Sequence, residues 1–154
     1  MGDVARERDP EGRFDLVAPP GWSAAPDEEG EGLEVWKEDG VGTLHIVSFA
    51  RDPHDFADPA EELWAFLEDR GVELEEDEVE DVPLAGGAEM AVCEFLSEDE
   101  DAGDALFWMV GVATAPGALV FATYFCTEGD EDAEREAVRQ ALATLRLSGA
   151  DTGF

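Results

Sequence analysis

The chain has 154 residues, of which 40 are acidic and nine basic, giving a formal net charge of −31, and 44% of its residues are apolar. That length suits one domain, the apolar content excludes disorder as the overall class, and no run nears the ~18 apolar residues of a membrane helix. No basic stripe is present to neutralise phosphates, so no nucleic-acid partner is expected.

The acid excess is spread through nearly every segment. Lys37 is the single lysine, Ile46 the single isoleucine, and asparagine is absent. Such a chain repels itself at low ionic strength, whereas at ~1 M salt the Debye length falls to about 3 Å and the repulsion is largely screened. The composition therefore predicts a protein of a salt-adapted, halophilic cell. A functional acidic surface, such as a DNA mimic, is the competing reading and requires the carboxylates on one face. The opening residues lack the apolar stretch of a signal peptide, and no membrane partner is expected, so the expected location is the cytoplasm.

Residues 1–12 carry charge, Pro10 and Gly12 without periodicity, and read as a flexible leader. Phe14-Asp15-Leu16-Val17 reads as a short strand that ends at Pro19-Pro20-Gly21. Residues 23–32 read as a loop. Leu33 to Glu38 and Thr43 to Phe49 alternate as two half-buried strands, joined by an Asp39-Gly40 turn. Asp58-Pro59 opens a helix with apolar Ala60, Leu63, Trp64 and Leu67 on one side and Gly71 as its stop. Val72 to Val82 is acidic and loosely alternating, as an edge strand would be.

Three apolar runs follow: Ala88 to Leu96, Ala105 to Thr114 and Ala118 to Cys126. An acidic loop, Ser97 to Asp104, and an Ala115-Pro116-Gly117 turn connect them, which describes an antiparallel meander. The last two runs are apolar on both faces, so the sheet centre is expected to lie between two layers. A final helix is predicted from about Asp130 to Leu145, its acidic start and its Arg139 and Arg146 suiting the helix dipole. The organisation is a leader at 1–12, one α+β domain over 13–148 with an antiparallel sheet of about six or seven strands and two helices, and a tail at 149–154.

No motif for chemistry stands out. The acids from Asp99 to Asp104 miss the calcium-loop pattern, which at positions five, six and twelve would meet Gly103, Asp104 and Val110. His45 sits in an apolar strand and His54 in a loop, without the converging ligands zinc needs. Cys93 and Cys126 form no CxxC and read as buried, reduced thiols. Gly40-Val41-Gly42-Thr43 lacks the lysine and the helix of a phosphate loop. No cofactor, metal or catalytic residue is assigned. Trp64 and Trp108 read as core, while Trp22 and Trp36 are the candidate partner-binding residues.

The element order, with Phe14…Pro20-Gly21-Trp22 near the start and Ala141-Leu142-Ala143-Thr144-Leu145-Arg146-Leu147 at the end, resembles the PsbP-like fold superfamily over roughly residues 13–148. That group includes the photosystem II extrinsic protein P, the Ran-binding Mog protein and related bacterial proteins. The resemblance implies a scaffold that usually binds proteins, with no shared catalytic residues to carry across. The expected function is a non-enzymatic protein-binding or accessory domain. A small-ligand-binding protein or enzyme, with a pocket between sheet and helices that includes His45, is the alternative.

Overall fold

The computed structural model describes residues 6–8, 14–19, 21–26, 32–38, 40–50, 58–72, 74–75, 78–84, 89–99, 104–115 and 118–147. Its centre is a seven-stranded antiparallel sheet in the order β3-β4-β5-β9-β8-β7-β6. The strands are β3 (Trp22–Pro26), β4 (Gly32–Lys37), β5 (Gly42–Ala50), β6 (Glu80–Pro83), β7 (Glu89–Asp99), β8 (Asp104–Ala115) and β9 (Ala118–Thr127). A second sheet pairs β1 (Arg6–Arg8) and β10 (Arg146–Leu147) on either side of β2 (Phe14–Val17). Two helices complete the α+β fold, α1 (Pro59–Asp69) and α2 (Arg135–Ala143), the latter preceded by a 3-10 turn at Glu131–Ala133.

The sheet is covered on both faces, because alternate residues of one strand point to opposite sides. On one side Leu33, Val35, Leu44, Ile46, Met90, Met109 and Tyr124 meet Val138, Leu142 and Leu145 together with Phe14 and Leu16 of the small sheet. On the other, Ala91, Cys93, Val110 and Val112 meet Leu63 and Leu67 of α1. That helix crosses β7 and β8 and its Phe66 meets Phe121 of β9 at 5.9 Å, which explains why the last two of the three runs are apolar on both faces.

Local signals account for several element ends. Asp58 Oδ1 accepts from Ala60 N at 3.0 Å with Pro59 opening α1. Gly71 closes it at φ +74°, with Gly71 N donating to Glu68 O at 3.0 Å and Val72 N to Leu67 O at 2.9 Å, the paired bonds of a left-handed helix stop. Gly21, at φ +85°, lies in the turn closed by Trp22 N–H to Pro19 O at 3.0 Å. A residue with positive φ is what that turn type demands.

The structure departs from the sequence expectations at several places. Arg6–Arg8, expected within a flexible leader, pair with β2; backbone pairing at a sheet edge needs no apolar alternation. Residues 22–26, expected mostly as loop, form edge strand β3 against β4. The edge strand read across 72–82 is confined to Glu80–Pro83. Arg139 and Arg146 do not cap a helix end: Arg139 pairs with Glu80 and Glu94, and Arg146 lies in β10 and pairs with Asp15 at 3.2 Å. Residues 148–154, His54, Asp39 and the tip of the acidic loop at 100–103 lie outside the described residues.

Candidate functional site

Trp22 and Trp36 are not brought together. Trp22 pairs with Lys37 and Trp36 with Ser23, so neighbouring registers place the two indoles on opposite faces of the sheet. Trp22 packs, partly buried, against the larger core. Trp36 is half-buried on the opposite face, the one that α1 shares.

On that outer face a row of residues crosses the sheet in register: Phe95, Trp108, Phe125, Thr43 and Trp36, each paired with the next. Phe95 and Trp108 stack with ring centroids 6.2 Å apart, and Trp108 and Phe125 at 5.0 Å. The Trp108 indole N–H donates to Ser97 Oγ at 2.7 Å. Arg70, the C-cap of α1, lays its guanidinium over Phe66 at 4.6 Å and over Trp108 at 5.6 Å. Helix α1 thus covers the β7–β8 end of the row, while Phe125 stays 44% exposed. Farther along the same face Phe49 is 50% exposed and meets Phe121 edge-on at 5.9 Å. Six residues of strand separate the Phe125 and Phe49 registers, about 20 Å at the rise of a β-strand. Val47, His45 and Thr123 lie between them, with Glu34 paired to His45.

Two polar constellations lie elsewhere. Glu134, only 4% exposed, accepts from the Tyr124 hydroxyl at 2.7 Å, from Gly42 N at 3.0 Å and from Val41 N at 3.2 Å. It ties the start of α2 to the β4–β5 turn. Gly42 is required there, since a Cβ would come within 2.8 Å of the Tyr124 hydroxyl oxygen and closer still to the Phe125 carbonyl. Burial, then the hydrogen bond to Glu134, pushes the Tyr124 hydroxyl far above its ordinary range. In the sequence Glu134 is one of several acids, with Asp130, Glu131 and Asp132, at the start of the predicted final helix. The signal available was the sole tyrosine on an apolar strand opposite a Gly-x-Gly turn.

The second constellation joins Glu94 to Arg135 and Arg139, with Arg139 also on Glu80. Glu94 Oε2 accepts from Arg135 Nε at 2.9 Å and Arg139 Nε at 3.0 Å. Burial alone would raise the Glu94 pKa, but the two guanidinium groups outweigh it and hold the carboxyl below its ordinary value. An open groove of about 610 Å³ runs beside Glu80, Arg135, Arg139 and Gln140. Smaller ones, of about 350 and 250 Å³, lie by Trp64 and Leu74 and by Leu96 and Phe107. His45 lines none of these three.

Among the described residues no cysteine stands beside a histidine. Cys93, Val110, Thr123 and His45 form one register row, which puts Cys93 three strands from His45, about 14 Å. Burial and then the adjacent Glu94 push the Cys93 thiol up to about 12, the direction of an inert thiol. Both cysteines are buried. Among the described residues no group of three or more His, Cys, Asp or Glu converges as a metal site. No helix among them is long and apolar enough to cross a membrane.

No family model matches the sequence, and no curated protein matches it. Likeness appears in three dimensions. A crystal structure from Bacteroides thetaiotaomicron superposes with TM-score 0.66 at 15% identity over 92% of this chain, which spans only 47% of that protein. The solution structure of cyanobacterial PsbP (CyanoP) from Synechocystis gives TM-score 0.62 at 11% identity, covering 96% of this chain and 95% of that one. LpqN of Mycobacterium tuberculosis, described as involved in cell envelope biogenesis, gives 0.66 at 12% identity, covering 93% and 89%. At these identities what is shared is the architecture. The sheet, its two covering layers and these neighbours together establish that the chain has the PsbP-like α+β fold.

Proposed function

We propose that this chain is a non-enzymatic protein-binding or accessory domain of a salt-adapted cell, and that it engages its partner through the outer face of β4, β5 and β9. The observation that carries this reading is the exposure of Phe125 and Phe49, with half-buried Trp36, on one continuous sheet face. Large aromatic side chains left partly in water on an ordered scaffold are the usual anchors of protein interfaces. The PsbP-like neighbours are consistent with an accessory or binding role. Binding is favoured over catalysis because the buried carboxylate Glu134 is engaged by Tyr124 and by backbone N–H groups, and Glu94 by two arginines. Neither carboxylate is left without a partner, as a poised acid or base would be.

The test is affinity capture at molar salt with the wild-type chain and with a Trp36→Ser/Phe125→Ser variant, followed by rebinding of the purified partner. A partner held by the wild type and lost by the folded variant supports the reading. Equal retention by both overturns it.

A further inference from the structure

Resting on that reading, we infer that the partner presents a basic segment whose arginine or lysine side chains stack on the Phe125–Trp36 end of the outer face. Within the chain, the aromatic row already holds one guanidinium: Arg70 lies over Trp108 and Phe66. The next ring in the register, Phe125, stacks on Trp108 with centroids 5.0 Å apart and is 44% exposed. A cation over such a ring is attracted by the negative face of the π-system, the more so as water is displaced.

Charge complementarity points the same way. Glu34 shares this face, and exposed Glu38 and Glu128 follow Trp36 and Phe125 within three residues of chain. The −31 of the whole molecule is largely screened at the salt of such a cell, so the preference for a basic partner rests on these local carboxylates. The strip from Phe125 to Phe49 is about 20 Å long, room for some six residues of extended chain. In an extended segment every second side chain faces the sheet, so basic residues at one end of that set would lie on Phe125 and Trp36 and apolar ones at the other end against Val47 and Phe121.

The test uses synthetic peptides of about eight residues, long enough to span the strip with a residue to spare at each end. One carries Arg at its first two sheet-facing positions and Leu at the next two, with Ser between them, and the others carry Gln or Glu in place of Arg. Binding is followed by fluorescence anisotropy of the dye-labelled peptides at about 0.5 M KCl, where diffuse attraction is mostly screened. The expected result is binding of the Arg peptide about tenfold tighter than the Gln peptide, lost in Phe125→Ser and in Trp36→Ser. Thermal melts establish that each variant is folded.

Equal binding of the Gln peptide, still sensitive to Phe125→Ser, overturns the basic partner and leaves the protein-binding face standing. Arg-peptide binding that survives both substitutions is diffuse electrostatics and overturns the inference, as does the absence of peptide binding. A dimer in sedimentation that Phe125→Ser dissolves assigns the face to a second copy and overturns it too. The protein-binding reading itself falls only if the captured partner ignores the double variant.

Discussion

The Tyr124 hydroxyl donates to Glu134 Oε1 at 2.7 Å, joining the middle of the sheet to the first residue before α2 in a site almost closed to water. Two backbone N–H groups of the β4–β5 turn complete the carboxylate's shell. Removing the carboxylate is therefore worse than removing the hydroxyl, because Glu134→Ala strands a phenol and two amides at once. Tyr124→Phe is expected to cost about 1–3 kcal/mol, and Glu134→Ala measurably more, since unmade buried hydrogen bonds carry the full desolvation penalty. Urea unfolding of the two variants checks the order; equal losses would show that the amides recover partners in water.

Glu94 sets part of the acid limb of stability. Its folded pKa lies below the ordinary 4.5, so its contribution is fully present above that value and is lost as pH falls through the lower folded value. The difference in unfolding free energy between wild type and Glu94→Gln is expected to be constant at neutral pH. It should shrink only below about pH 4.5. A difference that changes between neutral and mildly alkaline pH instead would assign the dependence to other groups.

Trp108 is a bridge more than a core plug. It is stacked between Phe95 and Phe125, held by Ser97 and capped by Arg70, but it is partly exposed at the edge of the smaller core. Trp108→Ala is expected to cost about 3 kcal/mol, the low end for a buried aromatic. Trp108→Phe should recover most of that, since it keeps the stack and loses only the bond to Ser97. Chemical denaturation of both variants reads the two contributions apart.

The −31 charge predicts that melting temperature rises by many degrees between about 0.1 M and about 2 M KCl, as screening removes self-repulsion. The response should be larger in KCl than in an equal osmolarity of a neutral osmolyte. A flat response to salt would remove the halophilic part of the proposed function.

The burial of Cys93 and its pKa of about 12 predict no reaction with a thiol reagent at neutral pH until the chain unfolds. Labelling rate against denaturant should follow the global unfolding transition. Fast labelling of native protein would mean that the α1 layer opens on its own.

The layers and much of the strand count were readable because they rest on apolar periodicity. Leu106 to Val112 and Leu119 to Phe121 are apolar at successive positions, and two cores are indeed packed on them. The start and stop of α1 were readable because Asp58-Pro59 and Gly71 act within one turn of themselves. Strands β1 and β3 were not, because they are edges held by backbone pairing, where side-chain pattern carries little information. The row from Phe95 to Trp36 was equally hidden. Each of its members lies on a different strand, and only the registers of four strand pairs bring them side by side.

The order of the large sheet divides it into two meanders, β3-β4-β5 and β6-β7-β8-β9, that touch only along β5 and β9. Each meander is local and can form by zipping from its own turns. The seam between them joins Gly42–Ala50 to residues 118–126, and closing so long a loop has an entropic cost that must be met before the contacts reward it. Substitutions such as Val47→Ala, on the β5 side of that seam, are therefore expected to slow refolding. Those at the far edges, in β3 or β6, should mainly speed unfolding. The two halves meet where the outer face carries Phe49 and Phe125, so the surface proposed for the partner exists only after the slowest step of folding is complete.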